Sequence, residues 1–222
     1  MKIRLSTVVT IGLLLGTAAC HAQNLIQNGG FELPSVGGGY QFFTAMSSPN
    51  GIPNWTITSG EVDVDSNNVI PSFQGVQALD LDGMIPGTIQ QTFTTIVGQK
   101  YAINFAYGNN PGIVYPNYSA TVSIFNGATT IFSQPFSHNT ATSGNQDYKL
   151  FGNNFANMFT ANTTSSTLIF TSNDPAMQQG GVELDAISVT ASTPEFGTIF
   201  SLGGLLLAGG TGLWIKRRRS VK

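Results

Sequence analysis

Alternation of apolar and polar residues is clearest in the stretch Ala120-Thr121-Val122-Ser123-Ile124-Phe125, which is followed by Asn126-Gly127 and then by Thr129 to Phe132. A period of two places successive side chains on opposite faces of a β-strand. Asn-Gly is the strongest short signal for a two-residue hairpin turn, because both turn residues need a positive φ. The stretch therefore predicts a β-hairpin with one face against a core.

The same alternation recurs along the chain and predicts further strands at residues 55–58, 61–65, 87–93, 101–107, 167–171 and 182–190. Gly, Asn, Pro and Ser separate these runs, and no stretch between residues 23 and 193 has a sustained 3.6-residue apolar period. This pattern is typical of an all-β fold, a jelly-roll β-sandwich. The polar segment 137–147 is predicted to be a loop.

The composition fits an exported β-rich domain. Charged residues make up 9% of the 222 residues and hydrophobic residues 41%, which supplies enough core formers to exclude a disordered chain. Between residues 23 and 193 the only cations are Lys100 and Lys149, whereas all but Glu195 of the eleven acidic residues lie there. So acidic a domain argues against nucleic acid as a partner.

Residues 1–22 have the organisation of a secretory signal peptide. Lys2 and Arg4 form a positive start, Leu5 to Gly16 an apolar run, and Ala18 to Ala22 an exit of small residues. The mature chain is therefore predicted to begin outside the cytoplasm.

The only cysteine of the chain, Cys20, lies inside this signal. Cleavage after Ala22 removes it and leaves a mature chain that starts at Gln23 and has no disulfide. The competing interpretation is a lipoprotein signal acylated on Cys20, for which Thr17 stands where leucine is usual.

Residues 193–222 predict a membrane anchor. No charge occurs among the nineteen residues from Gly197 to Ile215, which as a helix would span roughly 28 Å, close to the hydrocarbon thickness of a bilayer. A cationic stop signal follows at Lys216, Arg217, Arg218 and Arg219. We predict a transmembrane helix at 197–215, a cytoplasmic tail at 216–222 and a domain displayed outside the inner membrane.

This tail resembles the PEP-CTERM sorting signal of bacterial envelope proteins, since Pro194 and Glu195 precede the apolar span and the arginine-rich end. In that family an exosortase recognises the signal, and the proteins often accompany exopolysaccharide production. The resemblance implies an exosortase-like partner and a place in the cell envelope. Phe196 stands where the family has a second proline, so both a cleaved and a retained tail stay open.

A second resemblance rests on motifs in a fixed order, at residues 24–32, 75–83, 87–93, 98–101, 105–111 and 182–189. The series resembles the choice-of-anchor C family, which is similar to plant cell-wall domains of unknown function and to jelly-roll carbohydrate-binding modules with the galactose-binding-like fold. The resemblance implies one jelly-roll domain over residues 23–192.

Candidate catalytic residues are few. His138 is the only histidine left after signal removal, and its polar surroundings predict a solvated side chain. With a single imidazole and no thiol, the sequence does not support a Ser-His-Asp or Cys-His arrangement, and the chain is predicted not to be an enzyme. A glycan hydrolase needs only two carboxylates and is kept as an alternative.

A calcium ion joins the first strand to the last in jelly-roll modules similar to this family. The resemblance places its carboxylate ligands at Glu32, after Asn28-Gly29-Gly30-Phe31, and at Asp185 on the final strand. Oxygen ligands suit calcium, so one structural calcium ion is expected here. The alternative is that both carboxylates accept hydrogen bonds from backbone amides.

Two further acidic stretches alternate with apolar residues. Glu61, Asp63 and Asp65 share one face of a predicted strand, and Asp80 and Asp82 share another. The favoured interpretation is a set of charges on a solvated face, and a weak cation site is the alternative.

Aromatic rings beside amides are the residues that a glycan would need, because sugar rings stack on aromatic faces and hydroxyls bond polar groups. The main candidates are Tyr107, Asn109, Asn110, Tyr115 and Tyr118. Trp55 and the segment 40–43 are secondary, with Trp55 predicted to lie in the core. The sequence thus predicts a membrane-anchored, non-catalytic domain that binds or organises extracellular polysaccharide, with a structural surface or matrix protein as the alternative.

Overall fold

The computed structural model describes residues 23–47, 51–112, 117–152, 157–175 and 180–192. Within these ranges the strands, in chain order, are β1 (Tyr40–Thr44), β2 (Thr56–Ser59), β3 (Glu61–Ser66), β4 (Gln77–Asp80), β5 (Thr88–Thr94), β6 (Lys100–Asn109), β7 (Tyr118–Asn126), β8 (Thr129–His138), β9 (Lys149–Phe151), β10 (Met158–Thr160), β11 (Ser165–Ser172) and β12 (Val182–Ala191). A 3₁₀ turn at Ala45–Ser47 follows β1.

Two antiparallel sheets contain all of these strands. The larger sheet has the order β1-β3-β4-β12-β6-β10, with β9 also paired to β6, and the smaller sheet has the order β2-β5-β11-β7-β8. Most neighbours in each sheet are distant in sequence, as expected for a jelly roll. The predicted all-β jelly-roll sandwich is therefore confirmed.

The predicted hairpin at residues 120–132 is formed by β7 and β8. Asn126 pairs with Thr129, and Gly127 has a φ of +60° that supports the tight turn. Along β7 the residues alternate strictly between buried and half-buried, so one face lies in the core. Strand β8 runs on to His138, so the first two residues of the predicted loop, Ser137 and His138, belong to the strand instead.

The core lies between the inner faces of the two sheets. Large buried side chains from both sheets meet there, including Leu79, Ile103, Phe105, Ile124, Leu168, Phe170 and Leu184. Trp55 also lies in this core, as predicted, and its indole N–H donates to the carbonyl of Asn28 at 3.0 Å. The alternation thus separates an inner apolar face from an outer face on each sheet.

The first described residues are joined to the last strand without a disulfide. Asn24 forms an isolated bridge with Thr190, and the amide of Leu25 donates to the carbonyl of Val189 at 2.9 Å. The amide of Ile187 donates to Gly29 at 2.8 Å. These backbone hydrogen bonds close the domain where residues 23–29 run along β12.

Several predictions fall outside the described residues: the signal peptide, the sorting residues Pro194 and Glu195, the span 197–215 and the cations at 216–219. Within the described ranges, no helix has the length and apolar character that a membrane crossing requires.

Candidate functional site

Three strands of the larger sheet bring acidic side chains into one row on its outer face. Asp63 of β3 pairs directly with Asp80 of β4, and Asp80 pairs with Glu183 of β12. Directly opposite residues of antiparallel strands point to the same face, with Cβ atoms about 4.5–5.5 Å apart. Because Leu79 and Leu184 point into the core, the three carboxylates lie side by side on the other face.

This acid row, Asp63–Asp80–Glu183, is buried together with two flanking carboxylates. Asp63 is 7% exposed and Asp65 is 2% exposed, while Asp80, Asp82 and Glu183 have no exposed surface. The prediction of charges on a solvated face is therefore wrong for the four aspartates. Strand periodicity gives the shared face, but it does not show whether loops cover that face.

The cover comes from two loops. Gly108 of β6 lies opposite Glu183, and a Cβ at Gly108 would be 3.3 Å from the Tyr148 ring and 3.3 Å from the carbonyl oxygen of Gln146. The Tyr148 ring in turn contacts Phe73 edge-on, with centroids 5.7 Å apart. The lack of a side chain at Gly108 thus lets the loop of Tyr148 close over one end of the acid row.

No lysine or arginine of the described ranges neutralises this row. Lys149 pairs with Asp147 at 2.8 Å on the surface. Lys100 starts β6, eight residues before Gly108, which is about 26 Å along an extended strand. The acid row would therefore carry a large uncompensated negative charge if all of its carboxyl groups were ionised.

The pKa values of the row are raised mainly by burial and further by the neighbouring charges. Burial first, and then the charge of Asp80, raises the pKa of Asp63 to about 10. Burial raises the pKa of Asp80 to about 8, although hydrogen bonds from Asn110 and the Asp82 amide oppose the shift. The pKa of Glu183 is raised by burial and by the charges of Asp80, Asp65 and Asp63. Protons or a cation must balance these carboxylates near neutral pH.

Hydrogen bonds hold Asp80 in place, whereas several oxygens of the neighbouring carboxyl groups have no partner among the described residues. Its Oδ1 accepts from the amides of Gly181 at 2.8 Å and Asp82 at 2.9 Å, and its Oδ2 accepts from Asn110 Nδ2 at 3.0 Å. Among the described residues, no N–H or hydroxyl donor reaches four oxygens of Asp63, Asp65 and Glu183, namely Asp63 Oδ1, Asp65 Oδ2 and both carboxylate oxygens of Glu183.

An open groove of about 330 Å³ lies over Asp63 and Asp65. Its near wall is the edge strand β1, where Phe42 pairs with Asp63 and Tyr40 with Asp65, so both rings share the face of the carboxylates. Tyr40 is 56% exposed and Phe42 38% exposed, and their rings meet edge-on at 5.3 Å. Asn110 lines the opposite side. We call this the acidic groove.

Of the predicted glycan-contacting residues, the structure places Asn110 in the acidic groove. Tyr107 is half-buried and packs edge-on against Phe136 at 5.1 Å. Asn109 and Tyr118 are buried and offer no surface to a ligand in this structure. Tyr115 lies outside the described residues. The segment 40–43, a secondary candidate, instead supplies the exposed rings.

The structure brings together the two carboxylates of the predicted calcium site. A Cβ atom added to Gly30 would lie 3.5 Å from Asp185 Oδ1 and 3.9 Å from Glu32 Cγ, so both side chains lie beside this glycine. Glu32 Oε1 accepts from the Val76 amide at 2.9 Å, and Asp185 Oδ2 accepts from the Gln74 amide at 2.8 Å. These bonds match the alternative interpretation of amide-bound carboxylates, and calcium at Glu32 and Asp185 stays a prediction.

His138 is buried, 4% exposed, and the prediction of a solvated side chain is wrong. Its Nδ1 contacts Asn109 Oδ1, and its Nε2 lies 3.0 Å from the carbonyl oxygen of Asp147. Burial lowers the pKa of His138, while the Asp147 carbonyl opposes the shift. The residue joins β6, β8 and the covering loop, which is a structural role.

Glu183 was not among the candidates taken from the sequence. A signal exists, because Asp63-Val64-Asp65, Asp80-Leu81-Asp82 and Glu183-Leu184-Asp185 all alternate acidic and apolar residues. Nothing in a single sequence shows that these three strands are neighbours, since β12 lies about a hundred residues from β4. The pairing register is what turns three separate patterns into one row.

A family model described as "Protein of unknown function (DUF642)" matches residues 24–189. Halomucin from Haloquadratum walsbyi is 28% identical over 188 residues, which are 83% of this chain but only 2% of the length of halomucin.

Among solved structures, a cyclase from Fischerella sp. TAU, in complex with 4-(1H-indol-3-yl)butan-2-one, has a TM-score of 0.53 at 17% identity. The match covers 77% of this chain and 97% of the cyclase chain, and it supports the sandwich fold. The carbohydrate-binding module TmCBM61, in complex with beta-1,4-galactotriose, has a TM-score of 0.46 at 12% identity, covering 77% of this chain and 100% of its own.

Proposed function

The chain belongs to the DUF642 family of proteins of unknown function, and we propose that it is a non-catalytic module that binds extracellular polysaccharide at the bacterial cell surface. The acidic groove is the binding site of this proposal. Its ligand is a carbohydrate chain that lies along the edge strand β1 on the outer face of the larger sheet.

The observation that carries the proposal is the pairing of an exposed aromatic wall with a polar floor. Tyr40 and Phe42 present their rings to solvent beside Asp63 and Asp65, and Asn110 stands on the other side. Sugar rings stack on aromatic faces, while their hydroxyls bond carboxylates and amides. An open groove suits a polymer, which must enter and leave along its length.

The sequence supports a location at the cell surface. Residues 1–22 form the proposed export signal, and residues 197–215 the proposed anchor, with its cationic stop at 216–219. The resemblances to PEP-CTERM tails and to choice-of-anchor C domains add an exosortase-like partner acting at Pro194 and Glu195. In this proposal the domain is displayed outside the inner membrane.

Binding is tested with the full chain, purified in detergent, by affinity electrophoresis through gels that each contain one matrix polysaccharide. We expect at least one polysaccharide to retard the chain relative to a gel without glycan, with no release of reducing sugar. No retardation by any charged or neutral glycan would contradict the proposal and favour a structural surface or matrix protein.

A glycan hydrolase is the second candidate, since the pKa values of the groove carboxylates Asp63 and Asp65 are raised to about 10 and about 6. One oxygen from each of Asp63, Asp65 and Asp80 lies within 4.8 Å of the others, and the two hydrolytic mechanisms each need a pair of carboxyl groups, about 5–5.5 or 6.5–9.5 Å apart. Release of reducing sugar that Asp63→Asn abolishes would favour the hydrolase.

A further inference from the structure

We propose that Asp63, Asp65 and Asp80 bind a calcium-sized divalent cation at the floor of the acidic groove. The site lies on the outer face of β3 and β4, whereas Glu32 and Asp185 lie at Gly30, where residues 23–32 meet β12. It stands on its own geometry and does not depend on glycan binding.

The spacing of the three carboxylates fits one ion. Each residue offers an oxygen, and the three oxygens lie within 4.8 Å of one another. Calcium binds oxygen ligands at about 2.3–2.6 Å, so two oxygens that share one ion can be at most about 5 Å apart. The three oxygens are therefore close enough to surround one ion after small side-chain movements.

Glu183 provides an independent observation. Its side chain has no exposed surface, and among the described residues no N–H or hydroxyl donor reaches either of its oxygens, so that its hydrogen-bonding neighbour is another carboxyl group, that of Asp80. It is in register with Asp80, and its strongest charge contacts are Asp80, Asp65 and Asp63. A fully buried carboxylate whose neighbours are other carboxyl groups costs several kcal/mol to ionise unless a positive charge lies close by.

The nature of the donors points to a hard cation. Three carboxylate oxygens converge on the position, with the amide of Asn110 bonded to Asp80 beside them, and oxygen ligands of this kind suit calcium rather than a softer metal. The described lysines are too distant or already paired to supply the charge. A divalent ion would balance the row without requiring three adjacent carboxyls to share protons.

The ligands differ in how firmly they are held. Asp80 accepts three hydrogen bonds, from Gly181, Asp82 and Asn110, and is fixed in position. Asp63 and Asp65 line the groove and keep a free oxygen each. The buried side of the ion is thus built in advance, and its open side faces the groove, where water or a sugar hydroxyl can complete the coordination.

The test begins with the full-length wild-type chain in detergent, freed of metal by chelator and titrated with calcium chloride. We expect saturable binding and, at a calcium concentration 100-fold above the Kd, a rise in Tm of about 5–10 °C. Terbium, which substitutes for calcium, should become luminescent on excitation of tyrosine. A wild-type chain that shows neither calcium binding nor a Tm shift overturns the proposal.

Variants locate the ion. Asp63→Asn/Asp65→Asn should remove the calcium-dependent Tm rise, and the single Asp65→Asn variant should weaken binding at least tenfold. Asp147→Asn, which removes an exposed carboxylate outside the groove, is the matched control and should keep the full rise. If Glu32→Gln abolishes calcium binding while the double variant retains it, the ion lies at Glu32 and Asp185, and the proposal is wrong.

Discussion

At the scale of single residues, His138 shows how burial changes the role of a side chain. Its position after a polar run predicts a solvated imidazole, but β8 extends to it and the loop of Asp147 covers it. Both ring nitrogens face oxygen atoms, from Asn109 and Asp147, while burial favours the neutral ring. These opposing effects make the residue a sensitive point for pH.

The pKa of His138 is lowered from its usual value of 6.5 by burial. A group whose folded pKa is depressed contributes stability that is present above the unfolded pKa and is lost as pH falls through the folded pKa. Between pH 7.5 and pH 5 the wild type should therefore lose more Tm than His138→Gln. A larger loss in the variant would show that the fold stabilises the charged imidazolium instead.

Gly29 is a position at which an added side chain would collide with backbone of the last strand. A Cβ there would lie 2.2 Å from the carbonyl oxygen of Ile187, which cannot move without breaking the closure of the domain. Gly29→Ala should cost about 1–3 kcal/mol and lower Tm by several degrees. The control is Gly39→Ala, where a Cβ meets nothing within 4 Å and Tm should stay within about two degrees. Equal effects of the two changes would contradict this account.

At the scale of elements, the sequence predicts most strands and their faces. Alternation locates β3, β5, β6, β7, β11 and β12 to within a few residues, because each has one face in the core. The short β9 and β10 have no such signal over three residues each. The acid row is not predictable in this way, since it depends on which strands pair and in what register.

The row predicts an unusual effect of charge removal in metal-free protein. Burying one carboxyl beside two others costs free energy that the unfolded chain avoids. In chelator at pH 8, Asp63→Asn should therefore raise Tm by about 2–4 °C, a gain of about 1 kcal/mol. Asp147→Asn breaks only an exposed ion pair and should leave Tm unchanged or slightly lower. A clear fall in Tm for Asp63→Asn under these conditions would contradict the described burial.

At the scale of the whole molecule, the two sheets have different roles. The hairpin β7–β8 and its sheet contribute one inner face to the core, while the larger sheet carries the acidic groove on its outer face. Backbone bonds from residues 24–29 to β12 replace the disulfide that the chain lacks. The fold therefore holds its acidic groove on a closed scaffold.

The cation and glycan proposals together make a joint prediction. If calcium presents an open coordination position to the groove, retardation of the full chain by its polysaccharide should weaken at least severalfold in chelator and return with calcium. Unchanged retardation in chelator would show that glycan binding does not depend on the calcium ion.

The most direct test of the central claim, that the acidic groove binds polysaccharide, is affinity electrophoresis of Tyr40→Ala/Phe42→Ala beside the wild type. Both rings are exposed on the edge strand, so their loss should leave the Tm of the variant within a few degrees of the wild-type value. Loss of sugar–aromatic stacking contacts of this kind typically weakens binding by about an order of magnitude or more, and we expect retardation of the double variant to be largely lost. Retardation equal to that of the wild type would contradict the account.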